Sequence, residues 1–291
     1  MIYKAIIADA GVGSRFLPIS KAVPKAMFPL LDKPIMEWII LECIEAGISE
    51  FYLVINAYNK EIYEKYFFEK SDYIKNLLEK KNKLDRYKKV EELFKYPNIT
   101  ILVQDEKLPY GTASPVVTAK KYVENSDGFI MCQGDDVVVG MSDVSTMVEE
   151  FNKSSDSLSG IIMGQETPSE KLINFGVIKH RENDRLDYIV EKPAEGTAPS
   201  NLASYGRYLL TPKIFEYLDP KKVEADVEFL LVDGITKMAK DSYVKVISTK
   251  DKWVTTGDPL NYLQAQIEFA LAEKSVEKKF KEYLKKLPLI N

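Results

Sequence analysis

The chain has 291 residues, 45% of them hydrophobic and 29% charged, with a formal net charge of -4. That length suits one large α/β domain, or one with a small appendage, and the apolar fraction is enough for a sizeable core. So small a net charge excludes a globally basic surface, so no nucleic-acid partner is expected and any phosphate site must be a local pocket.

The first strand is expected at Ala5-Ile6-Ile7-Ala8, almost at Met1, which leaves no room for a secretory leader. It breaks into Gly11-Val12-Gly13-Ser14-Arg15, followed by prolines at 18, 24, 29 and 34 with Lys21, Lys25 and Lys33 among them. A strand opening into a glycine-bearing basic loop suits phosphates, because glycine lets backbone N–H groups approach an anion and cations neutralise it. The prolines prevent one continuous helix. Two commoner phosphate loops are absent: there is no Gly-Lys-Ser/Thr ending, and Phe16 stands where a dinucleotide fingerprint needs its third glycine. Taken alone, the Gly-Val-Gly spacing fits a plain tight turn equally well.

Helical spacing covers Ile35 to Ala46 and stops at Gly47, and Phe51 to Ile55 reads as a strand. Strand, helix, strand in this order implies parallel pairing with right-handed crossovers. Residues 60–96 read as two or three amphipathic helices with a solvated charged face. A strand at Ile99 to Gln104 precedes a glycine turn at Gly111, from which a helix is expected through Tyr122. Phe129 to Cys132 is a buried strand running into Gly134-Asp135-Asp136. Further strands are expected at Leu158 to Gly164 and Arg185 to Val190, then helices from Pro259 onward. Cys43 and Cys132 are too few for a disulfide framework or a zinc cluster and are expected as reduced core residues. His180, the one histidine, is expected at the surface, which argues against histidine chemistry. No apolar run is long enough to span a bilayer, so a soluble cytoplasmic protein without a membrane partner is expected.

The stretch GVGSRFLPISKAVPKAMFPLLDKP resembles the signature of sugar-1-phosphate nucleotidyltransferases, and the resemblance extends over nearly the whole chain. Within that family the chain most resembles the bacterial UTP–glucose-1-phosphate uridylyltransferase branch, which shares the insertion at 60–96. The resemblance implies a Rossmann-like α/β fold with a mixed, mostly parallel sheet flanked by helices and a small sugar-binding subregion. Residues 1–270 would be the catalytic domain and 271–291 a helical tail that packs on the core or joins a partner in a homo-oligomer. It also implies roles. Arg15 and Lys25 would hold the triphosphate of UTP or another NTP, with Ala10, Gly11 and Gly13 shaping the loop. Gln104 and Gly111 would meet the base. Asp135 would bind Mg²⁺. Asn174-Phe175-Gly176-Val177 would place Gly176 against the sugar. In Glu191-Lys192-Pro193, Glu191 would accept from sugar hydroxyls and Lys192 would contact the phosphate of the sugar 1-phosphate. Asn201 and Arg207, within Asn201 to Tyr208, would close the sugar pocket, and a helix from Glu228 to Ile235 would lie near it.

Three positions depart from the family pattern. Ala26 replaces a Glu or Gln that contacts the base. Thr255, within Trp253 to Asp258, replaces an acidic second metal ligand. Asp9 stands where the family has a small residue or proline. These leave open a catalytically weak regulatory paralogue, or a transferase using dTTP or GTP.

Overall fold

The computed structural model describes residues 2–153 and 158–288. Strand β1 (Lys4–Asp9) enters the proline-rich stretch, which forms three short 3-10 turns, Ser14–Phe16, Ile19–Lys21 and Lys25–Met27. A small ribbon of β2 (Pro29–Leu30) and β3 (Lys33–Pro34) then feeds α1 (Ile35–Glu45), which stops ahead of Gly47 in the left-handed region, φ +85°. Strands β4 (Glu50–Ile55) and β5 (Asn98–Val103) are separated by α2 (Lys60–Phe68), α3 (Asp72–Lys80) and α4 (Lys88–Leu93). The insertion is anchored by Tyr63 and Phe67 of α2, whereas α3 buries no side chain.

Helix α5 (Ser114–Val123) leads to β6 (Phe129–Gln133), β7 (Asp136–Val139) and α6 (Asp143–Lys153). Next come β8 (Leu158–Glu166), β9 (Gly176–His180), β10 (Leu186–Glu191) and β11 (Leu202–Leu210). The chain finishes with α7 (Leu231–Asp241), β12 (Tyr243–Ser248), β13 (Lys252–Thr255), α8 (Pro259–Ala272) and α9 (Glu277–Leu284).

The main sheet runs β10-β9-β11-β6-β1-β4-β5, with β8 added to β11 and β12 to β8. Strands β6, β1, β4 and β5 are mutually parallel, as are β8 and β12. Strand β11 runs antiparallel to β6, β8 and β9. This is the mixed, mostly parallel, helix-flanked sheet that was expected. Two apolar layers cover it, one through α1, α2, α6 and α8 and the other through α5 and α7. Ala5 and Ile7 belong to the first, Ile6 and Ala8 to the second, which explains the continuous apolar run of β1.

The chain passes from β1 to β4 and β5 on one side, then returns to β6 on the other. That reversal opens a crevice beyond the carboxyl ends of β1 and β6, where open α/β sheets take their ligands. Two expected helix starts move. Helix α5 begins at Ser114, because Gly111 has φ +143° and the Thr112 hydroxyl accepts from Leu231 N–H at 3.0 Å. Helix α7 begins at Leu231 and not Glu228, because the Phe229 backbone pairs with Tyr110 O at 2.7 Å and Ala113 N–H at 2.9 Å. Cys43 and Cys132 are buried free thiols 4.0 Å apart, and His180 is exposed. No helix among the described residues is long and apolar enough to cross a membrane.

Candidate active site

A cleft of about 850 Å³ lies over the carboxyl ends of β1 and β6. Its parallel-sheet end is built by the loop after β1. Gly13 holds φ +60°, and a Cβ there would sit 3.2 Å from Ser20 Cβ and 3.6 Å from Lys25 Cβ. The loop therefore folds tightly back and brings Lys25 beneath it. Edge-to-face contacts of Phe16 with Phe28 at 5.1 Å and with Tyr262 of α8 at 5.9 Å pin its far side. Ala10, Gly11, Arg15 and Lys25 line the cleft, whereas Gly13 shapes the turn without lining it.

The turn after β6 faces that loop. Gly134 is held to β1 by its N–H on Ala8 O at 2.9 Å, and a Cβ there would meet the same oxygen at 2.7 Å. Asp135 takes an ion pair from Lys25 Nζ. Its backbone oxygen accepts from Thr256 N–H at 2.7 Å and Thr256 Oγ1 at 2.8 Å, which locks the turn to the segment after β13. Arg15 reaches the same segment, Nη1 lying 3.4 Å from Gly257 O. Burial pushes the Asp135 carboxyl up, but Lys25 and then Arg15 outweigh it and hold the group below its usual range. Burial likewise lowers Lys25, and the negative charges of Asp135 and Asp9 more than reverse this.

Asp136 points the other way. It accepts from Trp253 Nε1 at 2.8 Å and Gly206 N–H at 3.2 Å, and burial with neighbouring Asp135 raises its pKa to about 6. Asp9, at the end of β1, is 2% exposed and accepts from the Tyr63 hydroxyl. Burial raises it to about 7, opposed by Lys25, Tyr63 and the Ala26 N–H and reinforced by Asp135.

Gln104 follows β5, its N–H on Ile55 O at 2.9 Å, and its buried Oε1 has no hydrogen-bond partner. Gly111 lies so close to Phe229 that a Cβ would stand 2.2 Å from the carbonyl oxygen. Ala26 is fully buried in the core below the loop.

The antiparallel end carries Gly176, Glu191 and Lys192. A Cβ on Gly176 would stand 3.0 Å from Glu191 Oε2, so glycine leaves room for that carboxylate. Burial raises the Glu191 pKa, Lys192 opposes this, and Glu228 and Asp233 add to it. Lys192 holds φ +45°, fixed by its N–H on Phe175 O at 3.0 Å, and its ammonium stands 3.7 Å from Glu191 Oε1. A non-glycine residue held left-handed at a cleft is a mark of a functional constraint.

Two expected sugar-pocket residues are corrected. Arg207 is 0% exposed and lies outside the cleft wall. Its guanidinium binds Glu42 of α1 at 3.0 and 2.8 Å, Asp136 O at 2.8 Å and Gly206 O at 3.0 Å. It braces the acidic turn from behind and cannot reach a sugar. Asn201 is exposed and outside the cleft wall, with its carbonyl accepting from Thr167 N–H at 2.9 Å. The structure adds a wall residue that no motif marked, Lys171, and brings Glu228, expected near the sugar pocket, into the same wall. Tyr63, which holds Asp9, was equally hidden, because it reads as one more apolar position of an amphipathic helix.

A Rossmann-like sheet presenting a basic glycine loop to an acidic turn, in one cleft with a carboxylate-lined pocket, is the architecture of an enzyme that transfers nucleotidyl groups. The chain belongs to the nucleotidyl transferase family, whose pattern matches residues 4–271. It is 34% identical to a UTP–glucose-1-phosphate uridylyltransferase of Staphylococcus epidermidis, over 99% of each chain. It is also 34% identical to one of Bacillus subtilis, over 94% of this chain and 93% of that one. A UTP-bound UDP-glucose pyrophosphorylase from Acinetobacter baumannii superposes with TM-score 0.84 at 30% identity, over 99% of this chain and 100% of that one. A UDP-glucose pyrophosphorylase complexed with UDP-glucose superposes with TM-score 0.80 at 28% identity, over 92% and 98%.

Proposed function

We propose that this enzyme transfers the uridylyl group of UTP to α-D-glucose 1-phosphate, giving UDP-glucose and pyrophosphate. The observation that carries the reading is the continuity of one cleft, with Arg15, Lys25 and Asp135 at one end and Lys192 at the other. A phosphate oxygen of glucose 1-phosphate attacks the α-phosphorus in line. The new P–O bond forms as the bond to the bridging oxygen breaks, and pyrophosphate leaves with that electron pair. The nucleophile arrives ionised, so the barrier is charge repulsion and alignment, which cations and positioning answer.

Arg15 holds the β- and γ-phosphates, Lys25 spans the triphosphate and the incoming phosphate, and Lys192 seats the sugar phosphate. Glu191 accepts from sugar hydroxyls. Gln104 Oε1, a buried acceptor without a donor, suits the imide N–H of uracil and compensates in part for Ala26. The donor set suits Mg²⁺: the Asp135 carboxylate, with the Thr255 hydroxyl in the same wall, matches an ion that relies on one or two carboxylates plus substrate phosphates. When bound, the ion supplies charge compensation beside the α-phosphate.

Pyrophosphate release measured with UTP, dTTP, GTP, ATP and CTP, each with glucose 1-phosphate and Mg²⁺, tests the proposal. Release with UTP is expected. Release with another NTP alone would reassign the base, and nucleotide binding without release would make the chain a regulatory binder.

A further inference from the structure

Lys25 is asked to do two incompatible things. Its ammonium is paired with Asp135, yet Asp135 is also the carboxylate that suits a divalent cation. A cation bound there would press against a like charge, unless the ammonium had somewhere else to go. Asp9 supplies such a place. It ends β1 as Asp135 follows β6, and the two strands are adjacent, with Ala8 opposite Gln133. Both carboxyl groups act on the charge of Lys25, and Asp9 also feels Asp135.

The two oxygens of Asp9 differ. Oδ2 is held by the Tyr63 hydroxyl, and Tyr63 is itself fully buried on α2, so the side chain cannot swing freely. Oδ1 is buried and makes no hydrogen bond, although the Ala26 N–H is near enough to favour the charged carboxylate. An acceptor left empty inside a protein is costly, which makes it a ready receiver for a charged donor. Lys25 is a cation whose charge acts on the Asp9 carboxyl.

We propose that Asp9 is a second seat for the Lys25 ammonium: when a divalent cation takes Asp135, Lys25 passes to Asp9 Oδ1 and keeps its place beside the phosphates. Asp9 is thus a positioning residue acting through Lys25, and the inference rests on the assignment of Asp135 as the metal carboxylate. It accounts for an acidic residue at a position where a carboxylate beside a triphosphate would otherwise repel. The insertion acquires a role as well, because its helix α2 carries the tyrosine that orients the seat.

The test is a double-mutant cycle read by Mn²⁺ binding calorimetry on the full chain, without turnover. Asp9→Asn keeps the shape and the Tyr63 contact. It is expected to weaken Mn²⁺ binding about tenfold, the scale of losing an outer partner of a metal ligand. In a Lys25→Met background the same change is expected to cost less than about twofold, since no ammonium is left to move. Equal weakening in both backgrounds would overturn the proposal, because Asp9 would then act on the ion directly. No weakening in either would overturn it as well. Asp135→Asn separates the underlying assignment: if it leaves Mn²⁺ affinity unchanged, Asp135 is not the ligand and the proposal falls with it. Should Asp9→Asn fail to fold, a crystal structure of the unaltered protein with Mn²⁺ decides. Lys25 Nζ within hydrogen-bond distance of Asp9 Oδ1 is expected, and Lys25 still on Asp135 beside the bound ion would overturn the proposal.

Discussion

The two ends of the cleft are built by opposite logic. The parallel end, under the loop after β1, gathers Arg15 and Lys25 around the buried carboxyl group of Asp9 and the half-buried one of Asp135. The antiparallel end, around β9 and β10, is acidic, with Glu191 raised first by burial and then by Glu228 and Asp233, and Lys192 beside it. A polyphosphate needs fixed positive charge, whereas hydroxyls need acceptors, so on the proposed function one cleft reads its ligands by charge at one end and by hydrogen bonding at the other. The lesson is that two differently built halves of one cleft must be held in register. Strand β11 does this: it pairs with β6 of the parallel half and with β9 of the antiparallel half.

The severest way to break that arrangement is at its brace. Glu42→Leu leaves the Arg207 guanidinium charged and buried without its partner, and about 3–5 kcal/mol of stability is expected to be lost. Denaturant unfolding of the variant measures it, and a loss under 1 kcal/mol would mean that the brace is dispensable. Next in size, Lys25→Ala and Lys192→Ala are each expected to lower kcat/KM by about 10²–10³. The two should differ in kind. Loss of Lys192 should raise the KM for the sugar phosphate and leave that for the nucleotide little changed. Steady-state kinetics varying each substrate separately sharpens the division between the ends, and identical signatures would erase it.

The third prediction concerns pH. The folded pKa of Asp9 is about 7 against an ordinary value of 3.8, so between those limits the native state holds a proton that the unfolded chain has released. Stability contributed by this group is therefore full at low pH and falls as pH rises toward 7. Asp9→Asn removes that slope. The variant is expected to gain on the order of a few kcal/mol over the parent above pH 7, with the difference vanishing near pH 4. Thermal melts across that range check it, and a gain that does not change with pH would show that burial is not what raises the group. The smallest effect is expected from Gly176→Ala, whose methyl would crowd Glu191 Oε2 at 3.0 Å. About a tenfold rise in the KM for the sugar phosphate is expected, since a slight displacement of one acceptor weakens one set of hydrogen bonds. The KM for the nucleotide should not move.

Much of the framework could be read along the chain because its cause is local. The apolar run of β1, the glycines and prolines after it, and the spacing of α1 up to Gly47 each state their conformation within a few residues. The segments around Gly11, Asp135, Gly176 and Glu191 were likewise legible as motifs, and all of them line one cleft. Tertiary structure alone decided which charges face which. Arg207 sits in a motif that reads as a pocket residue, but β11 is covered on both faces, and its guanidinium finds Glu42, 165 positions away. Asp9 reads as an intruder until folding sets it between Tyr63 and Lys25. The strand order that creates these neighbours comes from long-range pairing, and burial then makes each charge depend on a partner that no local pattern names.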